Sequence, residues 1–161
     1  MAVTYTPIAT ANGTGSSSTI DFTSIPSTYT DLRIVVFMKQ SSGYTYSIRF
    51  NSDGGSNYSN TQHWGPNGST TWTERAINQT EFNVGDINSS NGASSIIDVM
   101  NYSNSVKQKS ILVNHNDVGN TRVYNKVALW RSTSAINAIK IMGGGNFTTD
   151  TRVTIYGIAA A

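Results

Sequence analysis

The chain contains no cysteine, few charged residues and no long apolar run. Without cysteine it has neither a disulfide framework nor a thiolate metal site. Charged residues make up 12% of its 161 residues, whereas soluble domains usually have about 25%. Disordered chains combine low hydrophobicity with high charge, so low charge together with 10% aromatic residues predicts a folded protein.

The same shortages limit the possible partners. The net charge is +2, and the eleven basic residues are spread along the chain without forming a basic stripe. Nucleic-acid binding is therefore not expected. The longest apolar run, residues 34–38, is far shorter than the roughly 20 residues of a membrane span. Because the N-terminus lacks the charged and apolar regions of a signal peptide, we expect synthesis in the cytoplasm and no membrane partner.

What the chain does have is alternation. In residues 44–50, Tyr44, Tyr46, Ile48 and Phe50 alternate with polar residues, which places the apolar side chains on one face of a strand. Similar short runs, separated by Gly, Asn and Ser, predict strands near residues 3–9, 18–22, 32–39, 44–50, 70–77, 94–102, 106–116, 121–131, 139–142 and 151–159. We therefore predict one all-β domain over residues 1–161, an antiparallel sandwich of eight or more strands.

Four segments carry more specific predictions. Residues 32–38 are apolar at almost every position, which predicts a central strand covered on both faces. The polar residues 70–77 predict an edge strand. Residues 131–136 predict a single helical turn, capped by a serine or threonine. Residues 52–69 are the longest irregular segment, and either a partner surface or a surface loop without function fits them.

Few residues are available for catalysis. The two histidines, His63 and His115, are far apart in the sequence, and no G-x-S-x-G or H-E-x-x-H motif is present. Glu74 and Glu81 suit glycoside hydrolysis only if the fold sets them at a separation of about 5 to 10 Å, and solvated side chains are the alternative. We predict that the chain is not an enzyme.

One segment resembles a calcium loop in part. Residues 51–57 place oxygen-bearing side chains at alternate positions, as calcium requires. However, Ser56 stands where an EF-hand loop needs glycine, and Gln62 stands where it needs the bidentate glutamate. The segment therefore favours a turn rich in Asn and Gly, and we expect no metal or other cofactor.

Aromatic residues in polar surroundings are the remaining candidates for function. The candidates for contact with a partner, including a sugar ring, are Tyr58, Trp64, Trp72 and Tyr124, together with His63 beside Trp64. The alternative is that large aromatic side chains fill the core or an oligomer interface, where they stabilise most. We favour the core for Trp130 and leave Trp64 open.

Six blocks of the chain resemble a known family. They are YTPIAT (residues 5–10), FTSIPSTYTDL (22–32), RFNSDGGSNYS (49–59), NYSN (101–104), LWRSTSAI (129–136) and IYGI (155–158). In this order they resemble small virion structural proteins of tailed bacteriophages. The blocks span nearly the whole chain in order, from residue 5 to residue 158, so the resemblance is to a complete protein.

The resemblance implies a non-enzymatic, jelly-roll-like sandwich located on the virion. A capsid decoration or cement protein, which binds and stabilises the head shell, ranks first, because the chain has no fibre repeat, coiled coil or collagen-like stalk. The alternative is a tail-fibre or receptor-binding module that contacts host surface glycans.

The partners implied are the major capsid protein or other virion proteins, with the chain itself as a homo-oligomer. Low surface charge would reduce repulsion between copies packed side by side. Residues 1–6 and 157–161 are short and uncharged, and we expect them to act as bridging arms that become ordered only on docking. Met1, Ala2 and Val3 are the candidate contact residues of the first arm.

Overall fold

The computed structural model describes residues 4–65, 70–87 and 91–159, which form two antiparallel sheets. The strands are β1 (Tyr5–Asn12), β2 (Thr19–Phe22), β3 (Asp31–Met38), β4 (Thr45–Phe50), β5 (Tyr58–Gly65), β6 (Trp72–Gln79), β7 (Phe82–Asp86), β8 (Ala93–Val99), β9 (Lys109–Asp117), β10 (Arg122–Trp130), β11 (Ile139–Gly143) and β12 (Arg152–Ile158). The described residues contain no helix, and so none long and apolar enough to cross a membrane. The prediction of an all-β, antiparallel, jelly-roll-like sandwich is confirmed.

The two sheets differ in size. The large sheet has eight strands in the order β1-β12-β3-β8-β9-β10-β5-β6, and the small sheet has four in the order β2-β11-β4-β7. The core lies between them, because alternate residues of each strand are buried on the inner face. In the small sheet, β2 contacts β1 and the edge strand β7 contacts β9 and β5. Because the small sheet has only four strands, it leaves part of the inner face of the eight-stranded sheet uncovered, next to its edge strand β7.

The alternation in residues 44–50 places the core as expected. Tyr46, Ile48 and Phe50 are buried on β4, while Tyr44 precedes the strand and is exposed. Trp130 packs against Phe50 with ring centroids 5.5 Å apart and is itself buried. Its predicted role in the core is confirmed.

β3 is central, as predicted, but its two faces differ. Ile34 and Val36 are buried, whereas Val35 and Phe37 are each 40% exposed. The prediction of cover on both faces is therefore wrong for this strand within the described residues. The prediction of an edge strand near residues 70–77 is confirmed, since β6 ends the large sheet.

Two further predictions about local structure are wrong. The segment 52–69 is not irregular throughout, because β5 occupies Tyr58–Gly65 and pairs with both β10 and β6. Its alternation was hidden by polar residues on both faces. Residues 131–136 form no helical turn. The Ser132 hydroxyl instead accepts a hydrogen bond from Ser134 N, a local turn that competes with helix formation.

The predicted terminal arms are partly built into the sheet. Tyr5 and Thr6 lie in β1, where they pair with Ile158 and Gly157 of β12. The prediction that these residues order only on docking is therefore wrong. Residues 1–3, which include the proposed contacts Met1, Ala2 and Val3, and residues 160–161 lie outside the described residues.

Candidate functional site

The first candidate surface is the outer face, which we define as the side of the large sheet turned away from the small sheet. It carries six of the exposed large apolar side chains: Val35, Phe37, Ile96, Leu112, Val123 and Val127. The strand register brings them together, since Val35 lies opposite Ile96 and Leu112 lies opposite Val127. The outer face is therefore an apolar surface that nothing in the described chain covers.

The middle of the outer face is also free of charge. The row of cross-strand neighbours from β1 to β6 is Thr10, Thr154, Val35, Ile96, Asn114, Asn125, His63 and Thr73. Asn125 Nδ2 donates a 2.6 Å hydrogen bond to Asn114 Oδ1, and His63 Nδ1 lies 3.0 Å from Thr73 Oγ1. No lysine, arginine or carboxylate interrupts this row.

In the rows beside this central row, Arg33 and Asp98 form an ion pair, while Arg75 on β6 and Arg152 on β12 also share the outer face. Arg33 on β3 lies opposite Asp98 on β8, and its guanidinium donates bonds of 2.6 and 2.8 Å to the two carboxylate oxygens. The hydrogen bond to Asp98 raises the pKa of Arg33. A bidentate pair of this kind presents little net charge to a neighbour.

The second candidate surface is the aromatic cleft, which lies where the inner face of the large sheet extends past β7. Its volume is about 450 Å³, and the residues that line it are Asn60, Gln62, Trp64, Glu74, Arg75, Ala76, Asn83, Asp86, Arg122, Tyr124 and Lys126. They come from β5, β6, β7 and β10. The cleft is therefore a direct result of the unequal sheets.

An aromatic stack forms one side of the cleft. Tyr124, Trp64 and Trp72 are cross-strand neighbours on β10, β5 and β6. The Trp64 ring is stacked on both others, with centroids 5.7 Å from Tyr124 and 6.2 Å from Trp72. The Arg122 guanidinium lies over the Trp64 ring at 5.2 Å. These contacts fix the orientation of the rings.

Asp86 organises the polar side of the cleft. Its Oδ2 atom accepts a hydrogen bond from Tyr124 OH and one from Arg122 Nη1, each at 2.7 Å. Lys126 Nζ donates to the Asn83 carbonyl oxygen at 3.2 Å. Burial lowers the pKa of the Lys126 ammonium to about 8, because the charged form loses solvation.

A buried hydrogen-bond chain connects the core to Asp86. Tyr46 OH contacts Ser95 Oγ, which lies 2.8 Å from His115 Nδ1, and His115 Nε2 lies 2.7 Å from the Asp86 carbonyl oxygen. Since a carbonyl only accepts, His115 carries its proton on Nε2 and accepts from Ser95. Burial lowers the pKa of His115 to about 4. This serine and histidine are buried, and the imidazole serves a structural network.

β7 can reach His115 only because Gly85 has no side chain. A Cβ atom at residue 85 would lie 2.2 Å from His115 Cδ2, well inside contact distance. The imidazole therefore occupies the space that a side chain on β7 would need.

The structure separates the residues proposed for partner contact. Trp64, Trp72 and Tyr124 come together in the aromatic stack, where Trp72 is exposed and Tyr124 is buried. His63 lies on the opposite side of β5, on the outer face. Tyr58 is 1% exposed, and its hydroxyl accepts a hydrogen bond from Phe50 N and donates one to the Asp53 carbonyl oxygen. Its proposed contact with a partner is therefore wrong. Its polar sequence neighbours concealed a buried position.

Sequence reasoning missed the polar half of the cleft. Asp86, Arg122 and Lys126 come from β7 and β10, which are far apart in the chain. The alternation of residues 122–130 gave a signal for Lys126, since it shares a face with Tyr124, Ala128 and Trp130. No pattern in the residues around Asp86 predicts that it lies next to this face of β10, because β7 belongs to the other sheet.

The segment 51–57 uses its oxygen atoms internally. The Asp53 carboxylate accepts hydrogen bonds from Trp130 Nε1, Gly55 N and Asn57 Nδ2, and Asn51 Oδ1 accepts from the Asn137 backbone. Within residues 4–65, 70–87 and 91–159, no three His, Cys, Asp or Glu side chains converge as a metal site would require. Glu81 pairs with Arg49, while Glu74 accepts from Gln62.

The chain matches no protein-family model and no curated protein sequence. It is similar in structure to an exo-inulinase from Aspergillus awamori, with 14% identity and a TM-score of 0.42, over 97% of this chain and 29% of that one. It therefore spans less than a third of the inulinase chain. It is also similar to the Caenorhabditis elegans galectin LEC-6, with 13% identity and a TM-score of 0.35, over 94% and 96% of the two chains. At these identities the likeness concerns the fold alone.

Proposed function

We propose that the chain is a non-enzymatic virion structural protein of a tailed bacteriophage, which binds the head shell as a decoration or cement protein. The proposal combines the resemblance of the sequence blocks with one structural observation, the apolar outer face with its uncharged central row. The occupant proposed for this face is the surface of the shell.

The outer face has the chemistry of a protein interface. Charged residues are depleted in the centres of such interfaces, which are more apolar than the rest of the protein surface. Here Val35, Ile96, Asn114 and Asn125 form the centre of the row, and the Arg33 pair lies beside it. Burial of apolar surface favours association of proteins, so a wide apolar sheet face suits a stable attachment.

The proposal also accounts for the low overall charge. A shell carries many copies of a bound protein side by side, and strongly charged copies would repel one another. A net charge of +2 over 161 residues keeps this repulsion small. Copies of the chain can therefore pack as a homo-oligomer on the shell.

The test is rebinding of the purified chain to heads of its own phage after mild removal of the native copies. We expect the wild type to co-sediment with the heads and to raise their resistance to heat. Val127→Lys, which places a charge in the outer face, should weaken binding at least tenfold. Val106→Lys is the matched control, because Val106 is also exposed but lies in the loop between β8 and β9.

Two results would overturn the proposal. If Val127→Lys binds heads as well as the wild type, the outer face is not the contact surface. If stripped heads do not bind the chain while host cells do, the tail receptor-binding alternative replaces it.

A further inference from the structure

We propose that the aromatic cleft is a carbohydrate-binding site, which takes an uncharged hexopyranose unit of a polysaccharide. The inference is independent of the outer face, because the two surfaces lie on opposite sides of the large sheet. It rests on the shape of the cleft, its aromatic stack, its converging polar groups and its buried unpaired atoms.

The cleft has the size and position of a ligand site. Its volume of about 450 Å³ falls within the roughly 300 to 1,000 Å³ of small-molecule sites. Its lining comes from three adjacent strands of the large sheet, β10, β5 and β6, and from β7 of the small sheet. A site built on strands is held more rigidly than one built on loops.

The aromatic and polar halves match the two kinds of surface on a sugar. A pyranose ring has C–H faces that pack on aromatic rings and a rim of hydroxyl groups that need hydrogen bonds. Trp64, which is half-buried, supplies aromatic surface in the cleft, and Tyr124, Trp72 and Arg122 pack against it and hold it in place. Such a preordered stack binds without losing much side-chain entropy.

The polar half offers both donors and acceptors. Amide and carboxylate groups that line the cleft come from Asn60, Glu74 and Asn83. Hydroxyl groups of a sugar both donate and accept, so a mixed set of this kind suits them better than a set of one type.

Two buried polar atoms of the cleft residues lack a partner within the part of the chain that the structure describes. They are Trp64 Nε1 and Gln62 Oε1. Buried donors and acceptors are almost always paired in native proteins, and each unpaired group costs about 1 to 3 kcal/mol. One is a donor and the other an acceptor, and both belong to residues that line the cleft.

The charges of the cleft favour an uncharged ligand. Arg122 is paired with Asp86, and Lys126 donates to the oxygen atoms of Asn83. The remaining lining charges, Glu74 and Arg75, are of opposite sign. A phosphate or uronate would have to compete with bonds that already exist.

The experiment is affinity electrophoresis of the purified full chain in native gels that contain mannan, dextran, laminarin or galactan, with heparin as a charged comparison. We expect at least one neutral polysaccharide to slow the chain. Trp64→Ala should then weaken binding at least tenfold, and Trp64→Phe should retain part of it. Glu74→Ala, on an exposed edge strand, should weaken binding several-fold without affecting folding. His63→Ala changes the outer side of the same strand and should bind as the wild type does.

The possible results decide the proposal. Retardation by a neutral polysaccharide that is lost in both Trp64→Ala and Glu74→Ala, with unchanged melting of the second variant, supports it. If no neutral polysaccharide slows the chain, the proposal is overturned. It is also overturned if heparin alone slows the chain and high salt removes this effect. Binding that both variants retain would place the sugar elsewhere and would also overturn it.

Discussion

Trp130 Nε1 donates a 2.7 Å hydrogen bond to Asp53 Oδ2 and so ties the turn before β5 to the centre of the core. The Trp130 ring is 1% exposed, and the Asp53 carboxylate also accepts from Gly55 N and Asn57 Nδ2. Burial alone would raise the pKa of Asp53, but these hydrogen bonds outweigh it and lower the pKa below its ordinary value. A segment that resembles a calcium loop is thereby a structural turn.

The first prediction follows from this bond. Asp53→Ala leaves the buried Trp130 Nε1 without a partner, which should lower the free energy of unfolding by about 2 kcal/mol. Urea denaturation followed by tryptophan fluorescence measures it. Asp150→Ala is the control, because Asp150 is exposed and forms only a surface ion pair with Lys39, worth at most about 1 kcal/mol. Equal losses in the two variants would contradict the role of Asp53.

The second prediction concerns metal removal. Because the Asp53 carboxylate already accepts three hydrogen bonds, we expect a chelator such as EDTA to leave the melting temperature unchanged within experimental scatter. Differential scanning calorimetry with and without the chelator measures this. A drop of several degrees that added calcium reverses would restore residues 51–57 as a calcium site.

The fold was more accessible from sequence than the site. The alternation in residues 44–50 sets the buried face of β4, because one buried face imposes a period of two. The sequence did not predict β5 because polar residues lie on both of its sides: Asn60 and Gln62 face the cleft, and Thr61 and His63 lie on the outer face. The contact between Asp86 and Arg122 joins residues 36 positions apart, and only the packing of the small sheet on the large one creates it. Local pattern carries no information on such contacts.

The third prediction is a pH dependence of stability due to His115. Its pKa is lowered to about 4 in the folded state from about 6.5 in the unfolded chain. Below pH 6.5 the unfolded chain therefore takes up a proton that the folded protein does not, so stability falls as the pH decreases toward 4. The shift corresponds to roughly 3 kcal/mol. The urea concentration at the midpoint of unfolding should decrease steadily as the pH is lowered from 7 to 4.5.

Variants assign this slope to the buried imidazole. His115→Asn should flatten the pH dependence over that interval, even if it lowers stability at pH 7. His63→Asn should preserve the slope, because His63 lies exposed on the outer face. A slope that survives in His115→Asn would show that other groups cause it.

The fourth prediction concerns the close approach of β7 to His115. Gly85→Ala would place a methyl group 2.2 Å from the imidazole, and overpacking of this kind costs about 1 to 3 kcal/mol. Thermal unfolding should show a clearly lower melting temperature. Gly65→Ala, where no atom of the described residues lies within 4 Å of the added Cβ, should change it little. Two equally tolerated substitutions would mean that β7 and His115 are not packed as described.

The most direct test of the proposed attachment to the head is a cryo-electron microscopy map of the intact virion. Our account predicts copies of the chain distributed over the head, with the outer face, including Val35, Ile96 and Val127, turned toward the shell. Copies confined to the tail, or copies on the head with this face exposed to solvent, would contradict it.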